Sequence, residues 1–293
     1  MVNVYRNKWL PYTFILPQLV LITLFFYWPV VQAFFWSVFL EPPFGGDAEY
    51  VGAANFLRIL ADDEFYSSLK TSVIFMLTAS TFAIMVPLVL AIAVDRNLRL
   101  SRPARNILIW PKAVAGASIG MSFSLILNPH VGLLSPVNAL FPNFWNPGLN
   151  GVDANIMLNI AYVWRSIPFN FIILLAGLQA IPQPVIQAAA MDGASPWRRI
   201  FDIQIPLLTP QLFLCMILEL TASFSSAFAL VDSMTQGGPG GATNLFVYKI
   251  YVDAFKSYDL SGASAQTVLL MGILMAITCL QFFVLERKVK YNR

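Results

Sequence analysis

Residues 71–94 read TSVIFMLTASTFAIMVPLVLAIAV, a run that contains no charged side chain. A helix rises about 1.5 Å per residue, so a run of this length can cross the roughly 30 Å hydrocarbon core of a bilayer. The run therefore predicts a transmembrane helix, and the protein as a whole is expected to be a membrane protein.

The composition of the whole chain agrees with this prediction. Of its 293 residues, 58% are hydrophobic and only 11% are charged, whereas about a quarter of the residues of a soluble domain are charged. This shortage of charge excludes a soluble enzyme and a disordered regulator. The net charge of +3 is too small for a protein that binds nucleic acid through its phosphates.

Apolar runs of similar length recur along the chain and predict six transmembrane helices. The first run is too long for a cleaved signal peptide and has no small-residue cleavage site, so we keep it as a span. The predicted fold is all-α, a polytopic integral membrane protein with one transmembrane domain over residues 1–293. The predicted spans cover about 10–38, 71–94, 107–127, 154–178, 206–231 and 261–285.

Lysine and arginine are divided unequally between the two sides of such a chain. Twelve lie in the set of loops that includes both termini, and four lie in the opposite set, which also carries most of the acidic residues. Cytoplasmic loops carry the excess of positive charge, so both termini are predicted to be cytoplasmic. The twelve are Arg6, Lys8, Arg96, Arg99, Arg102, Arg105, Arg198, Arg199, Arg287, Lys288, Lys290 and Arg293, and the four are Arg58, Lys70, Lys249 and Lys256.

The residue combinations that intramembrane enzymes use are missing. His130 is the only histidine and falls in an outer loop, which excludes a Ser-His-Asp site or a histidine-rich metal site in the bilayer. No predicted span contains an aspartate, and no GxxxxGK[ST] phosphate loop occurs, so the chain cannot hydrolyse ATP by itself. We predict no catalytic residue and no metal ligand. A stand-alone channel or a secondary transporter is the alternative from another functional class.

The predicted cytoplasmic loop 181–206 reads IPQPVIQAAAMDGASPWRRIFDIQIP and predicts two short helices around a break. Pro184 suits the start of a helix, and the QAAAM stretch favours helix. Gly193 suits the left-handed position just past a helix end, and Ser195 can cap a second helix that begins at Pro196. A short helix with exposed alanines can insert into a cleft of another protein.

This loop resembles the EAA motif of ABC importer permeases, in which EAA, a glycine and a final Ile-x-Leu-Pro recur at fixed spacing. Gln187 stands where glutamate is usual and keeps a hydrogen-bonding side chain without the charge, so we expect coupling to persist without a salt bridge there. The resemblance implies that the loop holds the coupling helix that docks on a cytosolic ATPase. The implied coupling residues are Gln187, Ala188, Ala189, Met191, Asp192, Gly193 and Ala194, with Ile203 and Pro206 completing the motif.

Other segments extend the resemblance to carbohydrate-uptake permeases of the maltose-permease type. These segments are Val51-Gly52 with Asn55-Phe56, Gly237-Gly238-Pro239, Tyr248-Lys249-Ile250-Tyr251 with Ala254-Phe255, and the tail 286–291. Within that group, residues 8–12, residues 17–19 and the tail are most similar to A-type permeases of sn-glycerol-3-phosphate importers. This likeness implies a type I ABC importer permease in a bacterial inner membrane. Such a subunit would move sn-glycerol-3-phosphate or a related glycerophosphodiester by alternating access, and a sugar or polyol is the alternative solute.

The resemblance also implies the partners of the chain. They are a homologous second permease, a dimer of cytosolic ABC ATPases, an extracytoplasmic solute-binding protein, the small solute and membrane lipid. ATP and magnesium would be bound by the ATPase, so this chain is expected to bind no cofactor. It is not expected to bind nucleic acid.

Three ionisable residues lie inside predicted spans, where such groups usually face a cavity or a partner. Lys112 either extends to the membrane interface or faces the cavity. In the resembled permeases the helices on both sides of the EAA loop line the translocation path. The likeness therefore implies a path in which Arg165, Phe169 and Asn170 face Glu219, Ser223 and Ser226.

Two questions about this path stay open in the sequence. Arg165 and Glu219 could form an ion pair that only fixes helix packing, within this chain or between subunits. A free Glu219 carboxylate would also repel a phosphate monoester unless it is paired or protonated. It would suit a sugar, a polyol or the cationic end of a glycerophosphodiester.

Overall fold

The computed structural model describes residues 10–41, 46–96 and 101–285. The terminal segments that entered the charge count and the family resemblance, 1–9 and 286–293, lie outside the described residues, as does Arg99. The described chain is helical along most of its length.

The first four helices and the two short strands end before residue 97. A five-residue π-helix, Thr23–Tyr27, joins the first two helices. The bounds are α1 Leu10–Ile22, α2 Trp28–Val38, β1 Phe39–Leu40, β2 Glu49–Tyr50, α3 Ala54–Leu60 and α4 Asp63–Arg96.

The remaining helices begin at Ser101. A 3₁₀-helix, Trp110–Ala113, follows α5, and a π-helix, Arg199–Gln204, follows α10. The bounds are α5 Ser101–Ile109, α6 Gly116–Ile126, α7 Ser135–Leu140, α8 Gly151–Ala180, α9 Gln183–Met191, α10 Pro196–Arg198, α11 Ile205–Leu207, α12 Thr209–Ser225, α13 Phe228–Met234, α14 Phe246–Phe255 and α15 Leu260–Leu285.

Four helical stretches of the described chain are long and apolar enough to cross a membrane without a break. They are Tyr12–Val38, Asp63–Asp95, Gly151–Ala180 and Leu260–Phe283. Two bent pairs, Arg105–Ala113 with Gly116–Ile126 and Pro196–Leu207 with Thr209–Ser225, bring the number to six if each pair is one span. The structure is therefore consistent with six spans, and the cytoplasmic placement of the termini stays a prediction.

The predicted span 107–127 is broken in the structure, where α5 and α6 meet at 109°. Pro111 has no N–H to continue the α-helical ladder, and the chain passes through a 3₁₀ turn at this point. Val114 and Ala115 then have extended backbones before α6 begins at Gly116. The break was not predicted, because an apolar composition indicates a membrane span without indicating whether its helix is continuous.

The chain divides into two compact units, and the first contains residues 1–65 and 250–273. In this unit β1 pairs antiparallel with β2, and Asn55 donates to the Ser37 and Phe39 carbonyls at 3.0 Å. Arg58 forms an ion pair with Asp259 at 2.7 Å, close to the start of α15. These contacts fix the short elements of the unit to one another.

The second unit contains residues 66–249 and 274–293, of which the described part carries both candidate sites. Its core is built around α8, from which Phe171, Leu174 and Leu178 pack with Ala91 of α4 and Leu208. The single domain expected from the sequence stays a prediction.

Two glycines let α6 and α13 approach closely in the second unit. Gly116 and Gly120 are four residues apart and so share one face of α6. A Cβ atom added at Gly120 would overlap the Ser233 side chain of α13, and one added at Gly116 would lie 3.3 Å from the Ala229 Cβ. This small-residue packing resembles the close helix contacts typical of membrane proteins.

Candidate functional site

A cavity of about 230 Å³ lies between α8, α12 and the break after Ala113, within the second unit. We call it the charged cavity, because three ionisable side chains reach it. The residues used below that line it are Lys112, Tyr162, Arg165, Ser166, Phe169, Glu219 and Ser226.

Hydrogen bonds from α8 occupy both oxygens of the buried Glu219 carboxylate. The Glu219 Oε2 atom accepts from the Tyr162 hydroxyl at 3.0 Å and from Ser166 Oγ at 3.3 Å. Its Oε1 atom accepts from Asn170 Nδ2 at 2.8 Å. Hydrogen bonds to a buried carboxylate offset the loss of its hydration, so Glu219 is stabilised by neutral donors of the neighbouring helix.

Within this chain, Arg165 and Glu219 do not form the ion pair that would only fix helix packing, and a pair between subunits stays a prediction. The ion pairs Arg58–Asp259 and Arg198–Asp202 of the described chain lie elsewhere. Arg165 Nη1 instead donates to the Ser226 carbonyl at 3.2 Å. Glu219 and Arg165 therefore line the same cavity with separate partners.

Asn170 and Ser223 lie beside the charged cavity and do not line it. Asn170 is fully buried, and its Nδ2 atom also donates to the Ala83 carbonyl at 2.8 Å. This residue therefore ties α8 to both α4 and α12. Ser223 is fully buried and its hydroxyl donates to the Leu220 carbonyl of its own helix. Of the predicted path residues Glu219, Ser223 and Ser226, the first and the last line the charged cavity.

Two cationic side chains line the charged cavity, and both have N–H groups that remain available to donate hydrogen bonds. The Arg165 guanidinium lies beside Gly116, at whose position a Cβ atom would be 3.7 Å from its Cζ atom. The Lys112 Nζ atom lies 5.9 Å from the centre of the Phe169 ring, within reach of a cation–π interaction. Lys112 lines the charged cavity and is also exposed, so its side chain can reach both the cavity and the surface.

Sequence reasoning missed Tyr162 and Ser166, although a signal for them exists. Tyr162, Ser166 and Asn170 follow one another at four-residue intervals and so share one face of α8. All three donate to Glu219. A polar stripe at helical spacing opposite a lone carboxylate could therefore have identified them.

The second candidate site is the loop around α9. This helix ends in a Schellman motif, in which the Ala194 N–H donates to the Ala189 carbonyl at 2.9 Å and the Gly193 N–H to the Ala190 carbonyl at 3.1 Å. Gly193 has a φ of +79°, and Ser195 Oγ accepts from the Arg198 N–H at 3.3 Å. The predicted break at Gly193 and the cap at Ser195 are confirmed.

Large apolar side chains of this loop are exposed. Met191 is 88% exposed at the end of α9, and Trp197 and Phe201 are exposed with their rings stacked 6.2 Å apart. Of the predicted coupling residues, Ala189 and Ala194 are partly buried, and Gln187, Ala188, Met191, Asp192 and Gly193 are exposed. An exposed apolar surface at the end of a short helix is typical of a protein–protein contact.

A larger groove of about 960 Å³ runs along α4 and α8. Its lining is mainly apolar, and the side-chain amides of Asn155 and Asn159 donate to backbone carbonyls. This groove thus offers a polar solute few free partners. Across residues 10–41, 46–96 and 101–285, no group of three or more His, Cys, Asp or Glu side chains could hold a metal ion.

Comparison with known proteins gives a family match over most of the chain. The family described as binding-protein-dependent transport system inner membrane component matches residues 63–291. The sn-glycerol-3-phosphate transport system permease protein UgpA of Rhizobium meliloti is 41% identical, with 99% of each chain covered. The proteins of that name from Yersinia enterocolitica and Pectobacterium atrosepticum are 39% and 37% identical, with at least 97% of each chain covered.

A solved structure shares the fold over almost the whole chain. It is a bacterial ABC transporter involved in the import of the acidic polysaccharide alginate, with a TM-score of 0.83, 17% identity and 97% of each chain covered. The same score and identity hold for a bacterial alginate ABC transporter in complex with its alginate pentasaccharide-bound periplasmic protein, of which 96% is covered. This likeness establishes the architecture.

Proposed function

The chain belongs to the family of binding-protein-dependent transport system inner membrane components, and from that premise we propose that it imports sn-glycerol-3-phosphate or a related glycerophosphodiester. It is a non-catalytic transmembrane permease subunit. The observation that supports this choice of solute is the near-full-length identity of 37–41% to three proteins named for sn-glycerol-3-phosphate transport.

The charged cavity supports an anionic solute. Glu219, which alone would repel a phosphate, accepts three hydrogen bonds from the protein. Lys112 and Arg165 line the same space without a carboxylate bound to either. The two cations exceed the one carboxylate in charge, which favours a phosphate ester over the alternative of a neutral sugar or polyol.

The exposed loop supports docking on a cytosolic ABC ATPase dimer that binds ATP and magnesium. The docking surface would be the end of α9, formed by Gln187, Ala188, Ala189, Met191, Asp192, Gly193 and Ala194, next to the exposed rings of Trp197 and Phe201. The other proposed partners are a homologous second permease and an extracytoplasmic solute-binding protein. The proposed location is the bacterial inner membrane.

The position of α9 suggests how ATP would drive the transport step. It follows α8 after two residues, and the chain then leads through α10 and α11 into α12. Of these helices, α12 carries Glu219 and α8 carries the side chains that donate to it. Closure of the ATPase dimer would displace α9 and so move α8 and α12 together, as alternating access between inward-open and outward-open states requires.

The test is to purify the tagged chain from its native membrane and to identify the accompanying proteins by mass spectrometry. We expect an ABC ATPase, a second permease and a solute-binding protein. Uptake of labelled sn-glycerol-3-phosphate by cells should then be inhibited by unlabelled sn-glycerol-3-phosphate and not by maltose or glycerol. Inhibition by the neutral compounds alone would contradict the proposed solute.

A further inference from the structure

The charged cavity holds uncompensated positive charge, although it is formed by apolar spans. Ionisable groups inside a membrane protein are costly and usually have a partner. Glu219 has protein donors on both oxygens, whereas the Lys112 Nζ atom lies 5.9 Å from the centre of the Phe169 ring and has no carboxylate partner in the described part of the chain. With Lys112 and Arg165 against the single carboxylate of Glu219, the cavity has one cation in excess, which an anionic solute would balance.

Arg165 is placed by the protein so that most of its donors stay free. Its Nη1 atom donates to the Ser226 carbonyl. A guanidinium carries several further N–H groups in a planar fork. This fork matches the oxygen atoms of a phosphate group. The guanidinium also lies beside Gly116, the first residue of α6, where the helix dipole adds partial positive charge.

The size of the cavity favours a small solute. Its volume of about 230 Å³ is below the range of about 300–1,000 Å³ for pockets that hold drug-sized ligands. A glycerol phosphate matches a cavity of this volume better than an oligosaccharide does.

We propose that Lys112 and Arg165 bind the phosphate group of the passing solute and select for its negative charge, and that Glu219 positions the two walls of the cavity without binding the solute. This proposal rests on the proposed function, since it assigns the part of the permease that recognises the phosphate. Relative to the path predicted from the sequence, the proposal adds Lys112 as a residue that binds the solute. It excludes Asn170 and Ser223 from direct contact with the solute.

The experiment uses the complete transporter with its binding protein in proteoliposomes that contain ATP. Arg165→Gln and Lys112→Gln should each lower the uptake of sn-glycerol-3-phosphate by about tenfold or more, the effect expected from loss of a charge-assisted hydrogen bond. Stimulation of ATP hydrolysis by the loaded binding protein should persist, because α9 is untouched. Arg165→Lys, which keeps the charge, should recover part of the uptake.

Arg105→Gln is the matched control, since it removes an exposed cation from α5, outside the cavity. It should leave uptake normal. Normal uptake by Arg165→Gln and Lys112→Gln would overturn the phosphate site and leave the proposed function standing. Parallel loss of uptake and of stimulated ATP hydrolysis would also overturn it, because the two residues would then act on coupling. If the wild-type complex imports a neutral sugar and no sn-glycerol-3-phosphate, the proposed function fails and the phosphate site fails with it.

Discussion

At the scale of single residues, the contacts of Glu219 determine the charge that a solute meets. Three donors on one face of α8 surround its carboxylate, and one of them, Asn170, also reaches the Ala83 carbonyl. A carboxylate with this many partners acts as a fixed structural group. The cations Lys112 and Arg165 then dominate the part of the cavity that is open to a solute.

Glu219→Gln should preserve both assembly and import of sn-glycerol-3-phosphate. The new amide keeps one oxygen acceptor, and the hydroxyls of Tyr162 and Ser166 can rotate to accept from its NH₂ group. Glu219→Ala should lower the melting temperature of the complex, because each buried donor left without a partner costs about 1–3 kcal/mol. Uptake and thermal unfolding of the purified complex measure the two effects. If Glu219→Gln assembles normally but changes the preferred solute, Glu219 is a solute ligand.

At the scale of elements, the ends and breaks of helices carry the functional features. The helix α9 ends at Met191, just before the left-handed Gly193, and the break after Ala113 places Lys112 in the lining of the charged cavity. The loop geometry could be predicted from sequence, because the glycine and the Ser195 cap act within a few residues. The break in the predicted third span could not be placed in the same way, because Pro111 lies at the break whereas Pro87 and Pro168 lie inside the continuous helices α4 and α8.

The left-handed backbone of Gly193 predicts how the proposed coupling loop tolerates substitution. No atom lies within 4 Å of a Cβ added there, so for an uncharged side chain the backbone conformation decides the outcome. Gly193→Asn should retain most uptake, because asparagine adopts this conformation readily, whereas the β-branched Gly193→Val should lose it. ATP-dependent uptake and co-purification of the ATPase are the measurements.

Gly193→Asp adds charge to the exposed end of α9 and should block uptake while the binding protein still binds its solute. Equal uptake by the valine, aspartate and wild-type proteins would contradict a coupling role for this helix end.

Two glycine-to-alanine substitutions test the close packing of α6 against α13. Gly120→Ala would push a methyl group into the Ser233 side chain and should destabilise the complex by about 1–3 kcal/mol. Gly272→Ala is the matched control in α15, where no atom lies within 4 Å of the added Cβ, and it should be neutral or slightly stabilising. Thermal unfolding in detergent compares them. Equal melting temperatures of the Gly120→Ala and Gly272→Ala proteins would contradict the close packing of α6 against α13.

At the scale of the whole molecule, membrane architecture and family follow from features that are readable in the sequence. The apolar runs predict the long helices, and the residues around Gly193 predict the break after α9. The arrangement inside the charged cavity needed the structure. The spacing of Tyr162 and Ser166 places them on one face of α8, but their hydrogen bonds to Glu219 and the position of Lys112 in the same cavity depend on how the helices pack.

The most direct measurement is the uptake of labelled sn-glycerol-3-phosphate into proteoliposomes that hold either the complete transporter or this chain alone. Our account predicts accumulation by the complete transporter that requires both enclosed ATP and the external binding protein, and none by the chain alone. Flux of sn-glycerol-3-phosphate through the chain alone without nucleotide would contradict the account and identify a channel or a secondary transporter.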